Sequence, residues 1–146
     1  MEIIGQAVAD TAEKEVGAMF ITADQLVAHA VGDYIIQSDW MANEKTKQHT
    51  AAAIHAVTYT LPFLLLTQSP AALAFICGTH FVIDRWRLAR FVVWAKNYPW
   101  PGSLSWAECS ATGSPPDRPP FLSVWLLIIA DNILHVLCNA FAIAML

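Results

Sequence analysis

Three of the five histidines in this 146-residue sequence lie four residues from an aspartate. The pairs occur in the segments "HAVGD", "HFVID" and "DNILH", and the third segment has the reverse order. Residues four apart share one face of an α-helix, so each pair presents an imidazole and a carboxylate to the same neighbour. Imidazole with carboxylate suits zinc, iron or manganese and is unlike a soft thiolate site. The members of the pairs are His29 and Asp33, His80 and Asp84, and Asp131 and His135.

The reversed order of the third pair predicts how the three pairs meet. If its helix runs antiparallel to the other two, the histidines share one level and the aspartates lie about 6 Å away, because four helical residues rise about 6 Å. A further histidine on another helix reaches a compatible depth. We therefore predict an interior site for one or two divalent ions, zinc first, with manganese or iron as alternatives. Two alternatives without a metal would also explain the pairs: hydrogen bonds within each helix, or a proton path. The predicted ligands are His29, Asp33, His55, His80, Asp84, Asp131 and His135.

The composition indicates what positions these residues. The chain is 56% hydrophobic and only 14% charged, with a mean hydropathy of +0.45, against about 25% charged residues in typical soluble domains. Residues 48–83 contain no Asp, Glu, Lys or Arg, and the only such residue in 119–146 is Asp131. Uncharged runs of this length suffice for membrane spans of about 20 residues. These features favour a small integral membrane protein over a small soluble helical bundle, and the net charge of −4 gives no sign of nucleic-acid binding.

Four helix-length segments and no strand-like alternation predict an all-α, single-domain, four-helix transmembrane bundle. Pro70 and Pro120 suit first helical positions, and Pro62 predicts a kink. Residues 2–16 are expected to form a short N-terminal surface segment. A Pro-rich connection over 97–119 is expected to be a loop, since six of the eight prolines lie between Pro99 and Pro120. The predicted helices cover about 17–37, 50–67, 70–96 and 120–146.

The basic residues predict an orientation for such a bundle. Most Lys and Arg side chains fall in the first and third connections. The positive-inside rule then places these connections, including the Pro-rich loop, in the cytoplasm and both termini outside.

The segment "HAVGDYIIQSDWMANEK" resembles the signature of an uncharacterised family of small bacterial and phage membrane proteins, catalogued as a domain of unknown function. Such proteins also show a later histidine like His55 and a pair like His80 and Asp84. The resemblance implies a bacterial or phage context and a place in the bacterial inner (cytoplasmic) membrane, and it carries no activity. A looser similarity exists to membrane-bound metal-dependent hydrolases. The matching residues are His29, Asp33, Tyr34, Gln37, Trp40 and Lys45.

These observations lead to one expected function and two alternatives. We expect a membrane-embedded metal-dependent hydrolase that acts on a lipid or lipid-linked phosphate or ester at the cytoplasmic half of the bilayer. Arg85, Arg87 and Gln37 would bind the substrate, whose anionic headgroup the two arginines would hold. The first alternative is a non-enzymatic metal-binding or proton- or ion-conducting membrane protein, such as a phage factor acting on a host membrane component. The second is a purely structural metal site. The expected partner is membrane lipid, and a homo-oligomer is left open.

Overall fold

The structure is a computed structural model that describes residues 21–146, and every regular element in this range is helical. A π-helical segment covers Val31–Ile36 and a 3₁₀-helix covers Leu61–Leu65. The predicted N-terminal surface segment lies outside the described residues. The α-helices are α1 (Ala23–Ala30), α2 (Asp39–Glu44), α3 (His49–Thr60), α4 (Pro70–Trp86), α5 (Ala89–Asn97), α6 (Trp106–Cys109) and α7 (Pro120–Met145).

The predicted four-span transmembrane bundle is wrong. Within residues 21–146, only α7 is both long and apolar enough to cross a membrane, and that test concerns length and composition alone. The other apolar runs are divided into helices of 17 residues or fewer, whereas a span needs about 20. The multi-pass topology predicted from the four spans therefore has no support, and only the all-helical character of the prediction is confirmed.

Local conformations explain where the predicted helices divide. The first predicted helix continues from α1 into the π-helical segment and ends at Gln37, whose backbone is extended. The second run tightens into the 3₁₀-helix at Pro62, which has no backbone donor for a regular helical bond. The third run stops at Arg87, whose left-handed conformation (φ 51°) closes α4 with a bond from Leu88 N to Ile83 O. This is a Schellman-type ending without the usual glycine.

Helix α4 packs against α3 and α7. It runs antiparallel to α7, because Ser69 at its N-terminal end donates a hydrogen bond to the carbonyl of Leu146 at the C-terminal end of α7 (2.8 Å). Farther along the same pair of helices, the rings of His80 and His135 lie 4.1 Å apart. The antiparallel register predicted from the reversed third pair is therefore present. A hydrophobic core cluster adjoins these rings through Tyr59, which stacks on His80. Its buried members are Ala28, Tyr59, Phe63, Ala72, Ile76 and Ala142.

The Pro-rich connection folds against α5. Trp106 of α6 stacks on Phe91 with ring centroids 4.3 Å apart, and the indole of Trp94 donates to the carbonyl of Leu104. Arg90 donates to the carbonyl of Ser110. These contacts hold an ordered loop beside the bundle, as the proline content predicts.

Candidate metal centre

Six of the seven predicted ligands converge in the interior of the bundle. They come from four elements: the π-helical segment, α3, α4 and α7. Their ligand atoms form two groups, each with all atoms within 4.8 Å of one another, and each group could hold a metal ion. The first group, named the four-ligand group, is Asp33, His55, His80 and Asp84; the second, named the three-ligand group, is Asp84, Asp131 and His135.

In the four-ligand group, the imidazoles of His55 and His80 meet in a T-shaped arrangement, with ring centroids 4.7 Å apart. His55 Nε2 lies 2.9 Å from His80 Nε2, 3.2 Å from Asp33 Oδ1 and 3.2 Å from Asp84 Oδ2. His80 Nε2 is also 3.1 Å from Asp84 Oδ2. Two Nε2 atoms at this distance cannot both carry a hydrogen. At least one lone pair therefore points, with the carboxylate oxygens, at the shared space between them.

The three-ligand group lies on the other side of Asp84. His135 Nε2 is 3.4 Å from Asp131 Oδ2 and 3.6 Å from Asp84 Oδ1. The His135 side chain is 1% exposed, whereas the Asp131 side chain is 29% exposed. This group is therefore buried on its histidine side and open on its Asp131 side.

Several buried polar atoms of the centre have no hydrogen-bond partner among residues 21–146. They include Asp33 Oδ1 and His135 Nε2, whose nearest contacts, His55 Nε2 at 3.2 Å and Asp131 Oδ2 at 3.4 Å, lack hydrogen-bond geometry. A buried acceptor left without a partner costs about 1–3 kcal/mol, and a divalent ion between these atoms would remove that cost. The Nδ1 atoms of His55 and His80 also lack partners in the described range. Metal-binding histidines usually have such a partner, so here the rings are held by packing instead.

The electrostatics favour ionised carboxylates beside at least one neutral imidazole. Although burial alone would raise it, the imidazoles of His135, His55 and His80 hold the pKa of Asp84 well below its usual range. Burial likewise opposes ionisation of Asp33, but His55 and His80 lower its pKa. Burial lowers the pKa of His80 to about 4, so this ring is neutral at pH 7. Neutral imidazole and carboxylate are the forms that bind metal ions.

Lys45 enters the centre from the connection between α2 and α3. Its Nζ lies 2.9 Å from Asp84 Oδ2, 3.4 Å from His55 Nε2, and donates to Gln37 Oε1 at 2.8 Å. Nothing in the spacing of the His/Asp pairs predicted this contact. Lys45 therefore places a positive charge directly beside the carboxylates of the centre.

A cavity of about 420 Å³ opens beside the cluster. Its wall combines the carboxylates of the centre with basic, amide and apolar side chains. Leu127 and Ile128 of α7 form part of the apolar wall. This arrangement gives a ligand access to the metal-binding atoms from one side. The polar lining residues are Asp33, Tyr34, Gln37, Lys45, Thr46, Asp84, Arg87, Asp131 and Asn132.

The seventh predicted ligand, His29, lies beside the centre but has other partners. Its Nε2 is 2.9 Å from Asn132 Oδ1 and its Nδ1 is 2.8 Å from the hydroxyl of Tyr59. Asn139 Nδ2 donates to the same hydroxyl. With the amide of Asn132 oriented as in the structure, Tyr59 donates to Nδ1 and His29 donates from Nε2. Both ring nitrogens are then used, so the structure places His29 as a support of the centre.

Tyr59 is the main support that the sequence interpretation missed. Its ring is fully buried and stacks on His80 with centroids 3.6 Å apart and an interplanar angle of 17°. It also approaches Gly32, where an added Cβ would lie 2.5 Å from Tyr59 Cδ2. A signal for Tyr59 existed, because it follows His55 by four residues on the same helical face. Asn139 follows His135 by the same spacing.

The predicted substrate-binding residues divide into two sets. Gln37 and Arg87 line the cavity. Arg85 does not, because its guanidinium donates to the carbonyls of Thr46 and Lys47 and so fastens the connection between α2 and α3.

Nearly the whole described range matches a family model. A family model described as "Protein of unknown function (DUF3307)" matches residues 21–145. The chain belongs to this DUF3307 family. The prediction of an uncharacterised family is thereby confirmed, and all six gathered ligands of this DUF3307 chain lie inside the match. Comparison with curated proteins and with solved structures gives no significant match.

Proposed function

We propose that this protein is a metal-dependent hydrolase that cleaves a lipid or lipid-linked phosphate or ester. The observation that carries the proposal is the cavity whose wall contains Asp33, Asp84 and Asp131, three carboxylates of the buried His/Asp centre. A purely structural metal site needs no such access, since its coordination is closed by protein ligands.

The donor set decides which ions fit. Imidazole nitrogens and carboxylate oxygens, without a thiolate, suit zinc first and manganese or iron next. An ion bound here would polarise the scissile group and lower the pKa of a coordinated water. Hydrolysis then forms a bond from the water oxygen to phosphorus or to the acyl carbon, while the ester oxygen leaves with its bonding pair and takes up a proton.

The remaining lining suggests how a substrate would bind. Lys45 and Arg87 offer positive charge at the cavity, and Gln37 is held close to Lys45 at 2.8 Å. Leu127 and Ile128 offer an apolar wall on α7. A charged group next to an alkyl chain matches this combination. Helix α7 also exposes large apolar side chains, including Phe121, Trp125 and Phe141, which supports membrane lipid as its partner.

Hydrolysis of paired model substrates tests the proposal. p-Nitrophenyl phosphates and carboxylic esters with short and long alkyl chains would be incubated with protein loaded with zinc or manganese. We expect hydrolysis that is faster for long chains, lost after chelation and restored by added metal. His80→Ala should abolish it, and His49→Ala should not, because His49 lies exposed at the start of α3. Activity that survives complete metal removal, or no hydrolysis by the loaded protein, would contradict the proposal.

A further inference from the structure

Asp84 belongs to both ligand groups, and its two oxygens face different histidines. Oδ2 lies 3.1 Å from His80 Nε2 and 3.2 Å from His55 Nε2 in the four-ligand group. Oδ1 lies 3.6 Å from His135 Nε2 in the three-ligand group. A carboxylate with each oxygen directed to a separate set of ligands is arranged as a bridge between two ions. In two-metal enzyme sites the ions lie about 3.5–4 Å apart.

The four-ligand group is called closed because it supplies four protein ligands, although two of them, Asp33 and Asp84, also line the cavity. All four of its side chains are buried, and it supplies two imidazole nitrogens and two carboxylate oxygens. Four protein ligands complete the tetrahedral coordination that structural zinc sites have. An ion here would connect the π-helical segment, α3 and α4, so its binding would stabilise the packing of these elements.

The three-ligand group is open. It supplies one nitrogen and two carboxylate oxygens, and both Asp84 and Asp131 line the cavity. Three protein ligands with an open position are typical of catalytic metal sites. A separate observation points to a ligand here: His135 Nε2 is buried and faces this group, and within residues 21–146 its contacts with Asp131 Oδ2 (3.4 Å) and Asp84 Oδ1 (3.6 Å) do not form a well-aligned hydrogen bond.

We propose that the centre is dinuclear, with Asp84 bridging a closed ion in the four-ligand group and an open ion in the three-ligand group. This inference rests on the proposed function and assigns a role to each ion. The closed ion holds the helices in register, and the open ion faces the substrate.

The charge of a dinuclear centre also selects the substrate class. Two divalent ions exceed the three carboxylates in charge, and Lys45 and Arg87 add positive charge at the cavity. The loaded site therefore favours a substrate that carries its own negative charge. Of the two classes in the proposed function, the phosphate is the one that the dinuclear centre selects over the neutral ester.

Counting manganese tests the inference on the wild-type protein. Purified chain would be saturated with Mn²⁺, dialysed, and examined by elemental analysis and electron paramagnetic resonance. We expect two ions per chain and a spectrum of exchange-coupled ions, because a bridging carboxylate couples them magnetically. This readout needs no variant and no substrate.

Three variants separate the two positions. His135→Ala should retain one ion with an uncoupled spectrum and should lose hydrolysis while staying folded. His55→Ala should lose the closed ion and unfold at lower denaturant concentration. Asp84→Asn should remove the coupling. His49→Ala, at an exposed histidine outside both groups, should match wild type in ion count, spectrum, hydrolysis and unfolding.

The possible failures are distinguishable. One ion per chain at saturation, or two ions without coupling, would overturn the dinuclear centre and leave a mononuclear hydrolase standing. No bound ion under any loading condition would overturn both this inference and the proposed function. A dinuclear centre that hydrolyses neutral esters faster than phosphates would overturn the substrate assignment.

Discussion

Replacing Gly32 with alanine should damage the centre from outside its ligand set. An added Cβ would lie 2.5 Å from Tyr59 Cδ2 and 3.1 Å from Tyr59 O, where ordinary contacts begin at 3.4 Å. Tyr59 cannot withdraw easily, because its ring stacks on His80 and its hydroxyl is bonded by His29 and Asn139. The displacement must therefore fall largely on the backbone of the π-helical segment, which carries Asp33 at the next position.

Both stability and metal binding should respond. Overpacking in a filled core costs about 1–3 kcal/mol, so we expect Gly32→Ala to lower the free energy of unfolding by that amount. Displacing Asp33 should weaken metal affinity on the order of 10–100-fold, the range seen when supports of metal ligands are lost. Urea unfolding in excess chelator gives the first quantity, and competition with a fluorescent chelator gives the second.

Gly78→Ala is the matched control. Gly78 lies within α4, and an added Cβ would meet no atom within 4 Å. Alanine there should stabilise the chain by about 0.5–1 kcal/mol, because glycine is unfavourable inside a helix, and should leave metal affinity unchanged. If Gly32→Ala were as stable as wild type and bound metal as tightly, the assigned packing of Tyr59 against the π-helical segment would be refuted.

Three further predictions concern single groups. Tyr59→Phe should lower the free energy of unfolding by about 2–4 kcal/mol, because it leaves two buried partners unpaired; a loss below about 0.5 kcal/mol in urea unfolding would contradict the network. Lys45→Met should raise metal affinity about tenfold, since it removes a like charge beside Asp84, and should reduce phosphate hydrolysis; Lys45→Arg, which keeps the charge, should leave affinity near wild type. Burial alone would lower the pKa of His55, but the carboxylates of Asp33 and Asp84 outweigh this effect, so the pKa lies above the usual 6.5. Its proton therefore competes with metal, so calorimetric affinity should increase from pH 6 to pH 8, and a pH-independent affinity would count against His55 as a ligand.

The clustering of the His/Asp pairs was largely predictable because helical spacing carries geometric information. A pair four residues apart lies on one face whatever the helix packs against. The reversed order in "DNILH" predicted that α7 runs antiparallel to α4, and the contacts of Ser69 and His135 agree with it. The exception was His29, which lies 3.4 Å from Asp33 Oδ2 but whose ring nitrogens are hydrogen-bonded to Tyr59 and Asn132 on other helices.

The helix ends were not predictable in the same way. A hydropathy run does not show where a helix breaks, and Arg87 adopts the left-handed ending that usually indicates glycine. The π-helical turn that carries Asp33 has no sequence signature of its own. Lys45 reaches Asp84 from a connection, so no periodicity could link the two residues.

Elemental analysis tests the central claim most directly. Wild type, His80→Ala and His49→Ala would be incubated with equal zinc, dialysed against metal-free buffer and analysed for zinc per chain. The account predicts at least one zinc per chain in wild type and in His49→Ala, and a clear loss in His80→Ala. Less than one zinc per chain in the folded wild type, or equal zinc in all three proteins, would contradict it.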